Sequence, residues 1–309
     1  MRRFRNILLV CDENSAYEPA LERARALAAA NGAEVTLVDV IDATPGELSR
    51  LFAALPGRRA HEVEDEVLDF HRARLERLAE PLRAAGVPAG TAVLQGTAFL
   101  QVIRHVLRHG NDLVIKGAQS SPDRPLLRGP DLHLMRKSPC PVWILNARTE
   151  PCARRILAAV DPDPDDRIRD ELNHRIMELA TSLARGDGAR LDVMNVWRVH
   201  EEATLRHGVG RMTETEIAAI IAGEERGSAD RLRRLVADFE QFDDIMRVLH
   251  IKGVAADVIP AHVHDEGIDT VVMGTLARTG IAGLFIGNTA ETILNRVASS
   301  VLAVKPKGF

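Results

Sequence analysis

Leu113-Val114-Ile115-Lys116-Gly117 and Thr270-Val271-Val272-Met273-Gly274 are two short apolar runs, each closed by a glycine. Both follow an earlier glycine at the same distance: Gly96 precedes Gly117, and Gly253 precedes Gly274, by 21 residues (117 − 96 and 274 − 253). Gly110 and Gly267 stand 157 apart, as do Gly117 and Gly274, so the register holds without an insertion. Further out, Arg5-Asn6-Ile7-Leu8-Leu9-Val10-Cys11-Asp12 answers Arg154-Arg155-Ile156-Leu157-Ala158-Ala159-Val160-Asp161, and Gly32-Ala33 answers Gly188-Ala189. Landmarks that recur in order mean one module carried twice.

Each module alternates unalternating apolar runs, typical of strands covered on both faces, with stretches of helical apolar spacing. In the first, strands are expected at 7–10, 35–41, 92–94, 113–115 and 141–145. The helices between them include a capping-box start at Ser15-Ala16-Tyr17-Glu18 and a long charged helix that Pro81 should kink or divide. In the second, strands are expected at 156–160, 191–196, 248–251, 270–273 and 301–304, with a helical stretch over 216–239 broken at Gly227. Strands alternating with helices predict an α/β fold of two doubly wound, parallel five-stranded sheets. The domains span 1–146 and 152–309, joined by a short linker around Pro151. The two fifth strands would otherwise be apolar edges, so they are expected to meet and form an internal pseudo-dimer. Further assembly into a homo-oligomer stays open.

Bulk composition narrows the function. Of 309 residues, 46% are hydrophobic, and 44 acids against 40 bases leave a net charge of −4, which makes no electrostatic case for nucleic acid or an anionic membrane. No segment approaches the roughly 20 apolar residues of a membrane span. The basic start, Met1 to Arg5, precedes only Ile7–Val10 before Asp12, which reads as a buried strand and not an export signal. Three cysteines, Cys11, Cys140 and Cys152, form no CxxC and no even set, as in a reduced, cytoplasmic chain.

An open parallel sheet binds ligands beyond the carboxyl ends of its strands, where the strand order reverses. In the second module those ends are Asp161, Val196-Trp197 and the glycine-bearing loop from Gly274 to Gly287. Glycines let backbone amides approach an anion, and a helix opening at Asn288 or Thr289 adds free amides and a favourable dipole. The chemistry this describes is a phosphate cradle.

At this loop the chain resembles the universal stress protein family, whose nucleotide-binding members carry Gly, two residues, Gly, nine residues, Gly, then Ser or Thr. Gly274 matches the first glycine, Ala277 replaces the second, Gly287 matches the third, and Asn288 stands where the hydroxyl residue is usual. The stretches Met273-Gly274-Thr275, Arg278-Thr279-Gly280-Ile281, Gly287-Asn288-Thr289-Ala290-Glu291 and Val304-Lys305-Pro306 look like the second domain of the tandem, E-type members. Ile115-Lys116-Gly117 and 134–143 look like the first. The resemblance implies ATP in the second module, with adenine and ribose near Asp161, Val196 and Met273 and phosphates over Gly274, Gly287, Asn288 and Thr289. Ala277 departs from the pattern, because its Cβ disfavours a positive-φ turn. A plain capping box of Asn288 with Glu291 is the competing account of the helix start.

Module one lacks a second glycine at position 120 and has Pro130 near the helix opening, so it reads as a degenerate copy with Asp12 as a turn or cap residue. His262 and His264 are two apart and do not share a helix face, which favours polar surface over a metal site. The acidic run Asp161–Asp166 reads as carboxylates at a helix N-terminus. Trp143 and Trp197 read as packing residues. No activated nucleophile or general base stands by the loop, which argues against efficient catalysis, and the resemblance implies a stress-response binding protein or adaptor. The alternatives are a carrier of an apolar, lipid-like ligand on Ile281–Ile286 and a weak ATPase of the same fold group.

Overall fold

The computed structural model describes residues 4–12, 15, 17–41, 60–118, 129–147, 150, 152–199, 202–207, 212–275 and 287–306. In chain order the elements are β1 (Asn6–Val10), α1 (Tyr17–Asn31), β2 (Glu34–Ile41), α2 (Ala60–Ala84), β3 (Ala89–Gln95), α3 (Ala98–His109), β4 (Leu113–Gly117), α4 (Gly129–Lys137) and β5 (Val142–Leu145). There follow β6 (Arg155–Val160), α5 (Arg167–Asp187), β7 (Arg190–Trp197), α6 (Glu202–His207), α7 (Glu214–Ala237), β8 (Met246–Lys252), α8 (Ala255–Asp265), β9 (Thr270–Gly274), α9 (Asn288–Arg296) and β10 (Ser300–Val304). Two compact units emerge. One is Met1–Cys152 with Thr275–Ile286 and Ala298–Phe309; the other is Ala153–Gly274 with Gly287–Val297.

In the first unit the strands run β3-β2-β1-β4-β5-β10. The first four pairings are parallel, and β10 closes the row antiparallel to β5, with Val301 opposite Ile144 and Leu302 opposite Trp143. The fifth strands of the two repeats therefore pair, inside one unit. In the second unit β9-β6-β7-β8 are all parallel. Chain order reverses between β1 and β4 and between β6 and β9. The central strands are apolar because both faces are covered: Ile7, Leu8, Leu9, Leu113, Val114 and Ile115 are fully buried, as are Ile156, Leu157 and Val271.

Recurrent glycines serve the fold for different reasons. Gly110 ends α3 in the left-handed region at φ 67°, and Gly267 repeats this at φ 60°. Gly274 instead lies against α5, where an added Cβ would sit 2.7 Å from Leu172 Cδ2. Two expected breaks do not occur. α2 continues through Pro81 to Ala84, carried by the buried face Leu75, Ala79 and Leu82. α7 runs unbroken through Gly227, carried by the buried face Ser228, Leu232 and Leu235.

Candidate functional site

All the strand-end residues expected at the site fall in the second unit. Asp161 follows β6, Met273 and Gly274 end β9, and Val196 lies near the end of β7. Pairing aligns Met273 with Ala159 and Asn195 with Val160, so three adjacent strands present these residues at one edge, at the reversal point. Gly287 is the N-cap of α9, with φ −63° and no side-chain capping bond. Asn288 and Thr289 are the first helical residues and are exposed. The capping box of Asn288 with Glu291 is thus not formed: Asn288 lies inside the helix, and its carbonyl accepts from Thr292 Oγ1 at 2.8 Å. Ala277 and the apolar run Ile281–Ile286 lie outside the described residues.

Side chains unforeseen in the sequence hold this edge. Arg169 of α5 donates to Asp161 Oδ2 at 2.7 Å and to Asp163 Oδ2 at 2.5 Å. Asn173 Oδ1 accepts from the Asp161 amide at 2.8 Å, while its Nδ2 donates to the Asp161 carbonyl at 2.9 Å. Asp166 caps α5 by accepting from the amides of Ile168 and Arg169. The acidic run is therefore a cap and an arginine clamp together. At β7, Asn195 Nδ2 donates to the Val160 carbonyl and its Oδ1 accepts from Ser228 Oγ, to which His250 Nε2 lies at 3.1 Å. Burial pushes the His250 imidazole down from its ordinary value. Trp197 is buried and stacks on His250, ring centroids 5.6 Å apart, which is a packing role. Trp143 is buried beneath the Arg23 guanidinium.

The same position in the first unit is built differently. Lys116, buried at the end of β4, places Nζ 2.8 Å from Asp131 Oδ1 and 3.1 Å from Asp12 Oδ2. Burial alone would push its amine down, but Asp131 and Asp12 outweigh burial and hold it above the ordinary lysine value. Lys116 answers Met273, and Asp12 answers Asp161. Because Leu134-Met135 answers Ile293-Leu294 in the buried face of the matching helix, Asp131 answers Ala290. Asp12 is therefore an ion-pair partner, beyond the turn or cap role expected of it.

A further reading changes. His262 is not polar surface: its Nε2 lies 2.7 Å from Asp192 Oδ2, a carboxylate that Arg247 also grips with two bonds. A cavity of about 310 Å³ opens at the other end of the second unit, among Arg155, Arg190, Asp192, Asp244, Arg247 and Glu266. Its acids are already paired, Glu266 with Arg155 and Arg247, Asp244 with Arg185.

The model of the universal stress protein family matches residues 3–146 and again 153–305. The chain belongs to the universal stress protein family. It is 28% identical to Universal stress protein E of Escherichia coli K12, over 100% of this chain and 96% of that one. Identity to the Universal stress protein E homolog of Haemophilus influenzae is 25%, over 98% of each. Among solved structures, a chain from Pseudomonas aeruginosa UCBPP-PA14 superposes with a TM-score of 0.73 at 25% identity, over 99% of this chain and 95% of that one. A universal stress protein from Archaeoglobus fulgidus shares the fold at a TM-score of 0.67 and 18% identity, over 98% of each. The chain is thus a tandem, E-type member with the Rossmann-like fold of the family. Among the described residues no helix is long and apolar enough to cross a membrane.

Proposed function

We propose that this tandem universal stress protein is a cytoplasmic binding and adaptor protein whose second repeat holds ATP. Adenine and ribose would lie near Asp161, Val196 and Met273, and the phosphates over Gly274 and the opening of α9. The observation that carries this reading is the contrast between the repeats. In the first unit one lysine side chain spans from the end of β4 to the first turn of α4, so those two elements face each other across a gap of that length. The ammonium and two carboxylates fill it. By the repeat, the second unit sets β9 opposite the start of α9. There Met273 and Ala290 replace the lysine and its partner, and Arg169 draws the Asp161 carboxylate aside. A helix that opens on a glycine, with no side-chain cap among the described residues, suits a phosphate.

Calorimetric titration with ATP tests it. Gly287→Val should abolish binding by masking the α9 amides, and changes at Gly117 should leave binding intact. Ala277→Gly should tighten it several-fold, a relief on the order of 1 kcal/mol. No binding by either the wild type or Ala277→Gly would overturn the nucleotide reading.

A further inference from the structure

His105 and His109 lie one turn apart on α3, and their rings stack with centroids 4.2 Å apart and planes 29° from parallel. Residues four apart share a helix face, which brings two imidazoles within reach of one ion. A hydrogen-bond chain decides which His105 nitrogen is open. Asn111 Nδ2 donates to Asn6 Oδ1 at 2.6 Å, so its amide oxygen is the atom that faces His105 Nδ1 at 3.1 Å. That oxygen only accepts, so the proton resides on Nδ1 and Nε2 keeps its lone pair. An imidazole held through its second nitrogen in this way is the usual support of a metal-ligating histidine. Asn6 Nδ2 also donates to the His109 carbonyl at 2.9 Å, fastening the end of α3 to β1. His105 is buried and His109 exposed, so the pair is walled on one side and open on the other.

We propose that His105 and His109 form a two-point chelate for an imidazole-preferring divalent transition metal, with zinc as the type and solvent completing the shell. Zinc bonds an imidazole nitrogen within the ring plane, so the exposed His109 ring turns out of the stack to bring a nitrogen alongside His105 Nε2. Imidazole ligation selects zinc, copper or nickel over magnesium and calcium. Among the described residues no group of three or more histidine, cysteine or carboxylate side chains converges on one point, so this is an exchangeable site, unlike a closed structural zinc centre.

The test is zinc chloride titrated into the full chain, followed by NMR of nitrogen-labelled histidine rings, which keeps binding at the exposed Cys152 thiol separate. The His105 and His109 signals should move together and saturate at one equivalent, while magnesium chloride moves neither. His109→Ala, at an exposed position, should weaken zinc binding at His105 at least tenfold and leave the unfolding midpoint in place. Asn111→Ala should weaken it too, by releasing the tautomer. Movement of His109 alone, or zinc affinity at His105 unchanged in His109→Ala, would overturn the proposal.

Discussion

Lys116 carries a charge into the first unit only because Asp12 and Asp131 meet it there. Removing one partner of a buried pair strands the others, at a cost of about 3–5 kcal/mol. Lys116→Met should therefore lower the urea midpoint sharply, and Lys116→Met with Asp131→Asn should recover part of the loss. Because the folded amine is held above its ordinary 10.5, its contribution is complete below that pH and fades as pH climbs past it. The wild type should thus show an alkaline decline in unfolding free energy that Lys116→Met lacks; identical alkaline limbs would refute this role. At this scale the sequence was half legible. Asp161 declared itself by following an apolar strand, yet its partner Arg169 is an ordinary charged residue on a helix, visible only once α5 is folded. Asp12 and Lys116 stand 104 residues apart, and no local pattern joins them. The four-residue spacing of His105 and His109 is legible in the sequence, whereas the bond to Asn111 that orients His105 is not.

Among the elements, α5 governs the candidate site, since it supplies Arg169, Asn173 and the Leu172 contact with Gly274. Asp166 accepts from two amides of its first turn. Asp166→Ala should cost about 1 kcal/mol, read as a shift in the chemical unfolding midpoint with unchanged slope. A neutral result would mean that solvent or Asp163 takes over the cap. Element type and order were legible because apolar runs and helical spacing repeat through both modules. Interruptions were less so: Pro81 and Gly227 are local signals, and the buried faces of α2 and α7 override them. Gly96 and Gly253 show the same limit. They occupy equal positions, but Gly96 adopts φ 114° whereas Gly253 makes room for Val258, whose Cγ2 would lie 2.7 Å from an added Cβ.

For the whole molecule, the fate of the last strand matters most. β10 belongs to the first unit, paired with β5, and Lys305 just beyond it donates to the carbonyls of Arg136 and Ser138 at the end of α4. That placement suits a cation at a helix C-terminus, although burial pushes the amine down to about 8. A chain ending at residue 297 should leave Val142–Leu145 as a bare apolar edge, and size-exclusion chromatography should then show self-association. A monodisperse product of monomer size would refute it. The domain count and the meeting of the fifth strands followed from the repeat and from the cost of open edges. Which unit would claim β10 did not, because it rests on contacts with residues more than 150 positions earlier. The arrangement also bears on ancestry. A doubled gene can ordinarily shed either copy and return to its single form. Here neither half is whole, since losing the later copy removes a strand the earlier one has come to rely on, and so the duplication acts as a ratchet.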